Sequence, residues 1–346
     1  MVISTLINSF SVGTGGAPAL ALGAWKEIGR TTLGSAGDLI TVATLPNVKH
    51  FMTLCHNIAT GNVSLNFRFN ADADTNYATR RSFDDGADTT AVNGSEVDEG
   101  FGGDFPKFDV GFVTNILNKE IMQQHNFVYQ DTAVSSTDPR RAELIGKWDN
   151  MVDPVDEIAA FNDSAGSFNT NSELVVLGWD ESNTHTTTDS FWQPVGYTEV
   201  SGEDTTMLVS FTPKKYLWMQ MFLKNTTGTY APKIRFNGDT ATNYSFTNNF
   251  NGSGDTPAVT QDHIAPSGSS TSDNRVFDMW LLNEATAIKL FHSIDIHASA
   301  AGVTPQRTET NGKWVETTDA ISEILVYNTG TSDFGTGSYI QVWGAD

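Results

Sequence analysis

One run of residues occurs twice in this chain, and that repetition constrains the fold more than any other feature. Trp25, Gly29 and Thr31 return as Trp192, Gly196 and Thr198, a spacing of 167 residues (192 − 25). The same spacing carries Arg68-Phe69-Asn70 onto Arg235-Phe236-Asn237, and Thr75-Asn76-Tyr77 onto Thr242-Asn243-Tyr244. Later the spacing becomes 166 (312 − 146): Pro139, Arg141, Glu143 and Gly146-Lys147-Trp148 match Pro305, Arg307, Glu309 and Gly312-Lys313-Trp314. Asn162, Phe168 and Ser172 match Asn328, Phe334 and Ser338, and the copies close on Gly178-Trp179-Asp180 and Gly344-Ala345-Asp346. The expected organisation is therefore an N-terminal arm (1–24, rich in Gly and Ala from Val12), copy one (25–180), a polar linker (181–190) and copy two (191–346).

Each copy reads as strands. Val63, Leu65, Phe67 and Phe69 alternate with Ser64, Asn66 and Arg68, the period of a half-buried strand. Phe51 to Cys55, matched with Trp218 to Phe222, is apolar throughout and predicts a central strand. Phe291 to His297 predicts another, and Glu173 to Leu177 and Tyr339 to Trp343 a last strand in each copy. Turn clusters at Gly34 to Asp38 and Asn251 to Asp255 separate such runs. Helical patterns are confined to Val113 to Gln123 and, more weakly, Ala285 to Leu290. The expectation is an all-β protein of two tandem β-sandwich, jelly-roll-like domains.

Charge narrows the function classes. Lys plus Arg is 20 and Asp plus Glu is 41, giving −21 (20 − 41). Such a surface disfavours binding to nucleic acid, which needs clustered cations, and to anionic membranes. No run approaches a transmembrane helix in length, and Met1 to Gly23 lacks a basic n-region, so synthesis in the cytoplasm is expected. The lone cysteine, Cys55, excludes a disulfide within the chain and reads as a small buried hydrophobe. His56 beside it points to the opposite face of a strand.

Candidate chemistry is sparse. Asn70-Ala71-Asp72-Ala73-Asp74-Thr75-Asn76 places oxygens at alternate positions as calcium loops do. Its counterpart Asn237 to Asn243 has one carboxylate fewer, and a hairpin turn explains both. Asp84-Asp85-Gly86-Ala87-Asp88 is an acidic turn. The histidines, among them His50, His56, His125 and His263, lack zinc-ligand spacing. Arg68 and Arg235 read as structural partners of Asp or Glu rather than as an anion site. Trp25/Trp192 and Trp148/Trp314 invite a binding reading, as sugar platforms or interface anchors, but core packing, with the indole N–H bonded to backbone, is the expected role. No catalytic, cofactor or metal residue is assigned, and no cofactor is expected.

The run Trp25-Lys26-Glu27-Ile28-Gly29-Arg30-Thr31-Thr32-Leu33-Gly34-Ser35-Ala36-Gly37-Asp38, with Arg68-Phe69-Asn70, Asn76-Tyr77 and Gly146-Lys147-Trp148, resembles a family of virion structural proteins of tailed, often marine, bacteriophages, mostly of unassigned role. The resemblance covers copy one nearly end to end. Copy two is looser, lacking the Gly-Arg-Thr-Thr-Leu-Gly run, although its Asn328-Thr329-Gly330 turn is nearer the family. The resemblance implies a non-enzymatic particle component, made in the host cytoplasm and located in the virion. Its expected partners are other virion proteins and copies of itself. The competing expectation is a glycan- or receptor-binding fibre or adhesin module, with tandem sandwiches binding bivalently.

Overall fold

The computed structural model describes residues 25–130, 132–179, 189–226, 228–266, 270–271, 274–298 and 304–346. The expected arm (1–24) and residues 181–188 of the expected linker lie outside these described residues. Copy one contains β1 (Lys26–Thr32), β2 (Leu39–Ala43), β3 (His50–Asn57), β4 (Ala59–Thr60), β5 (Asn66–Phe69), β6 (Tyr77–Phe83), β7 (Thr89–Gly94), β8 (Lys107–Thr114), β9 (Ile121–Tyr129), β10 (Arg140–Trp148), β11 (Glu157–Phe161), β12 (Ser167–Phe168) and β13 (Glu173–Trp179). Copy two contains β14 (Gln193–Glu199), β15 (Thr206–Ser210), β16 (Tyr216–Leu223), β17 (Thr229–Tyr230), β18 (Pro232–Phe236), β19 (Tyr244–Phe250), β20 (Asp255–Gln261), β21 (Ser270–Thr271), β22 (Asn274–Leu282), β23 (Lys289–Ala298), β24 (Gln306–Trp314), β25 (Glu323–Asn328) and β26 (Tyr339–Ala345).

Each copy is a β-sandwich of unequal sheets. The large sheet of copy one runs β1-β13-β3-β8-β9-β10-β6-β7 and faces β2-β11-β5. Copy two repeats this order as β14-β26-β16-β22-β23-β24-β19-β20 over β15-β25-β18. One apolar core fills each sandwich, around Phe51, Phe69 and Trp148 in copy one and Met219, Phe236 and Trp314 in copy two. A third core lies between the two large sheets and draws on both copies. The sheets therefore stack in four layers, small, large, large, small. The middle of each large sheet is covered on both faces, so β3 and β16 read as apolar runs rather than alternations.

The repeated residues are those that hold the backbone in place. Tyr77 Oη accepts from Phe69 N at 3.0 Å, and Tyr244 Oη from Phe236 N at 2.9 Å. Asn70 and Asn237, both at left-handed φ (52° and 50°), each accept two backbone N–H groups of the chain entering β11 or β25. Ser172 Oγ accepts from Ile58 N, and Ser338 Oγ from Lys224 N, both at 2.9 Å.

Four expectations need correction. Val113 to Gln123 is not helical: it is the end of β8, a turn and the start of β9. Val113, Ile116, Leu117 and Ile121 fall at helical spacing by coincidence, because Ile116 and Leu117 lie on the exposed turn while Val113 and Ile121 reach the core. Ala285 to Leu290 is likewise a turn leading into β23. Around β5 there is no half-buried alternation: Ser64 and Asn66 are buried too, because Asn162 and Glu99 satisfy this segment's polar groups. Finally, Phe51 pairs with Gly178 and Leu217 with Gly344, so Phe51 corresponds to Leu217 rather than Trp218. The chain entering β16 is one residue shorter, and a one-residue slip in a strand exchanges its faces.

Candidate functional site: the face between the two copies

Alternation in β3 sends Phe51 and Cys55 into copy one's own core and Met52 and Leu54 toward copy two. There they join Phe108, Val110, Val128, Val175 and Leu177, facing Tyr216, Trp218, Trp280, Leu290 and Trp343. Rings mesh across the boundary: Phe108 stacks on Tyr216 at 6.2 Å, and Phe112 meets Trp280 edge-on at 6.2 Å. Trp25 and Trp192, 4% and 1% exposed, belong to this layer and are closed to a glycan.

Polar groups frame the apolar layer. At one side His56 Nδ1 lies 3.5 Å from Glu284, which also meets Lys215 at 3.0 Å. Burial opposes ionisation of Glu284, but the hydrogen bond with His56 and the charges nearby hold its carboxyl down at about 2. Glu173 of copy one takes Lys215 at 3.1 Å and the Tyr216 hydroxyl at 2.8 Å. From copy two, Lys313 Nζ donates to the Gln130 and Thr132 carbonyls at 2.9 and 2.7 Å.

At another side, equivalent positions of the two copies meet. Arg141 forks onto Asp255, with Nε at 3.1 Å and Nη2 at 2.9 Å, while Nη1 lies 3.5 Å from Glu143 and 3.7 Å from Glu309. Glu143 and Glu309, the repeat counterparts, share a hydrogen bond. That bond, reinforced by burial, pushes the Glu143 carboxyl up to about 7, against the pull of Arg141 and Arg307. His292 Nδ1 lies 3.8 Å from Glu309. Beside this cluster opens a cleft of about 360 Å³, lined by the Asp84–Asp88 turn, the 252–254 turn and Arg307.

The other residues singled out from the sequence lie inside single copies. Trp148 and Trp314 are buried, and each indole Nε1 donates to a side-chain carboxylate rather than to backbone: Asp72 Oδ2 and Asp239 Oδ2, both at 2.7 Å. Asp72 also accepts from Asn76 and from the Asp74 backbone, and Asp239 from Asn243 and the Ala241 backbone. The candidate calcium loop thus spends its shared carboxylate on a tryptophan and a turn. Burial works against it, yet the bonds from Asn76 and Trp148 hold the Asp72 carboxyl below the usual range.

Arg68 pairs with Glu96 at 3.2 Å and covers Phe161, and Arg235 pairs with Asp262 and covers Tyr327. His125 bridges Asp109 and Gln123, both at 2.9 Å, under the Phe67 ring. His50 stacks on Trp179, and His263 sits against Asp262. Cys55 is fully buried, and burial raises its thiol well above the ordinary value. Among the described residues, no group of three or more His, Cys, Asp or Glu side chains is placed to hold a metal ion.

Sequence reading missed two features. The shared core looked like ordinary strand interior. The Glu99–Lys107 ion pair is fully buried and bonded to Tyr129 and to the Val63 and Phe101 carbonyls, and in copy two Arg275 stands at the position of Lys107, buried in an ion pair with Asp295 at 3.2 Å.

No family model matches the chain, and no curated protein matches it. Among solved structures, domains LG4-5 of the mouse laminin alpha1 chain are 10% identical, covering 95% of this chain and 92% of that one, with a TM-score of 0.20. A Pseudomonas aeruginosa FadL homologue is 7% identical, covering 93% of this chain and 100% of that one, with a TM-score of 0.10. Likenesses this slight carry no argument, and the sandwich fold rests on the strand pairing itself.

Proposed function

We propose that this chain is a non-enzymatic structural protein of a virion. It would be a capsid-associated decoration or vertex protein, or a tail component, in a symmetric assembly with copies of itself and other virion proteins. The supporting observation is the shared core: it fixes two copies of one sandwich at a set spacing while their loops differ. A subunit with unequal neighbours in a lattice needs such a body, with one framework and two unlike surfaces. The resemblance of copy one to the phage family points the same way. Mass spectrometry of purified particles is the test: the chain is expected at a fixed stoichiometry, and its absence from intact particles would overturn the reading.

A further inference from the structure

The duplication places a docking surface on copy two whose counterpart on copy one is already occupied. Strand pairing sets Glu173, His56, Phe108, Val128 and Arg141 side by side across copy one's large sheet. In copy two the same row is Tyr339, Phe222, Val276, Ile296 and Arg307. On copy one this row is covered by copy two: Tyr216 stacks on Phe108, Lys215 and Tyr216 bind Glu173, and Glu284 in the turn after β22 meets His56. On copy two, Val276 and Ile296 of this row are 47% and 40% exposed. One row, Gln341, Gln220, Asp278 and Ile294, separates it on the same face from Trp343, Trp218 and Trp280 of the shared core.

The element that covers the first row has its own duplicate. Asn283 begins the 283–288 turn by donating to the Lys215 and Lys214 carbonyls and accepting from Ile321 N. Asn115 makes the matching bonds to Lys49, Val48 and Val155. Ile116 therefore stands where Glu284 stands, and Leu117 where Ala285 does. Ile116 and Leu117 are 45% and 49% exposed, with Met122 beside them and Met151 and Val152 exposed on the loop that follows β10. Both halves of the contact changed together: the polar pair His56 and Glu284 in the occupied dock corresponds to Phe222 and Ile116 in the open one. Two exposed apolar surfaces, each equivalent to one side of an existing interface, are the pattern of a contact completed by another molecule.

We infer that the Tyr339–Phe222–Val276–Ile296 strip of one chain receives the Ile116–Leu117 turn of a second copy. The contact joins unlike surfaces, so it leaves a free strip at one end and a free turn at the other, and it propagates into a ring or a filament. It rests on the self-assembly proposed above and supplies the joint. With a net charge of −21 per chain, association strengthens as salt screens repulsion.

The test is sedimentation of the full chain over a concentration and salt series, with Leu117→Asp and Ile296→Asp as variants. Both positions are exposed, and circular dichroism checks that each variant folds. Wild type is expected to grow into oligomers, and each variant alone to associate at least about tenfold more weakly. An equimolar mixture of the variants is expected to stop at one-to-one dimers, because one partner keeps its strip and the other its turn. A monomeric wild type, a variant that associates like wild type, or a mixture that stays monomeric each overturns the inference. Particle mass spectrometry is independent of all three outcomes, so failure here is separable from failure of the virion reading.

Discussion

Replacing Arg141 by Met tests whether the boundary between the copies is held by buried charge. Arg141, Asp255 and Glu309 have side chains only 5%, 9% and 4% exposed, which places them with buried rather than surface ion pairs. Arg141→Met leaves Asp255, Glu143 and Glu309 together with no cation among them at hydrogen-bonding distance. Breaking a buried pair from one side costs about 3–5 kcal/mol, read as a lowered urea midpoint in far-ultraviolet circular dichroism at pH 7.5. Arg141→Lys keeps the charge but loses the fork, and should cost on the order of 1–2 kcal/mol. Adding Asp255→Asn to Arg141→Met should recover part of the loss, because it removes a stranded carboxylate. Glu143 gives the pH dependence its sign. Its folded value of about 7 lies above its ordinary 4.5, so its contribution is complete below 4.5 and lost as pH rises through 7. The Arg141→Met penalty should therefore be larger at pH 8 than at pH 5. A loss below about 1 kcal/mol, the range of a surface pair, would refute the reasoning.

Other outcomes follow from the same structure. Lys107→Met strands Glu99, whose carboxyl burial already pushes up to about 7 despite Lys107; the loss should be about 3–5 kcal/mol at pH 8 and smaller at pH 5, by urea unfolding at both. Wild-type stability should fall between pH 5 and pH 8, since Glu99 and Glu143 both have raised folded values, and Glu143→Gln should flatten that slope in the same titration. Trp148→Phe and Trp314→Phe each remove one N–H from an equivalent carboxylate and should cost about 1–3 kcal/mol apiece, measured by thermal unfolding. Cys55 should resist a thiol-alkylating reagent until denaturant is added, followed by intact mass.

Much of the framework was legible because the repeated residues each do a job that local chemistry dictates. Tyr77, Asn70, Ser172 and Trp148 bind backbone or a turn carboxylate, and their counterparts do the same, so the copies could be aligned before any strand was placed. The joint between the copies was not legible. Met52 and Leu54 differ in no visible way from Phe51 and Cys55, yet they face another copy's tryptophans. Arg141 and Glu143 stood out only as repeat markers. That Glu143 meets its own counterpart depends on how two sheets stack, which no local pattern encodes. The false helix at Val113 to Gln123 had a related cause: apolar residues kept on a turn for an outward face imitate an amphipathic period.

The tryptophans also give the molecule a built-in optical readout. Of eight in the chain, Trp25, Trp192, Trp218, Trp280 and Trp343 sit in the shared layer, and Trp179 packs at its margin. Trp218 and Trp280 lie nearly parallel, 5.9 Å apart, close enough to couple as chromophores. Only Trp148 and Trp314 report on the sandwich interiors, one in each. Emission from this chain is therefore weighted toward contact between its halves, and a separation of the copies would be seen in fluorescence before either sandwich had melted.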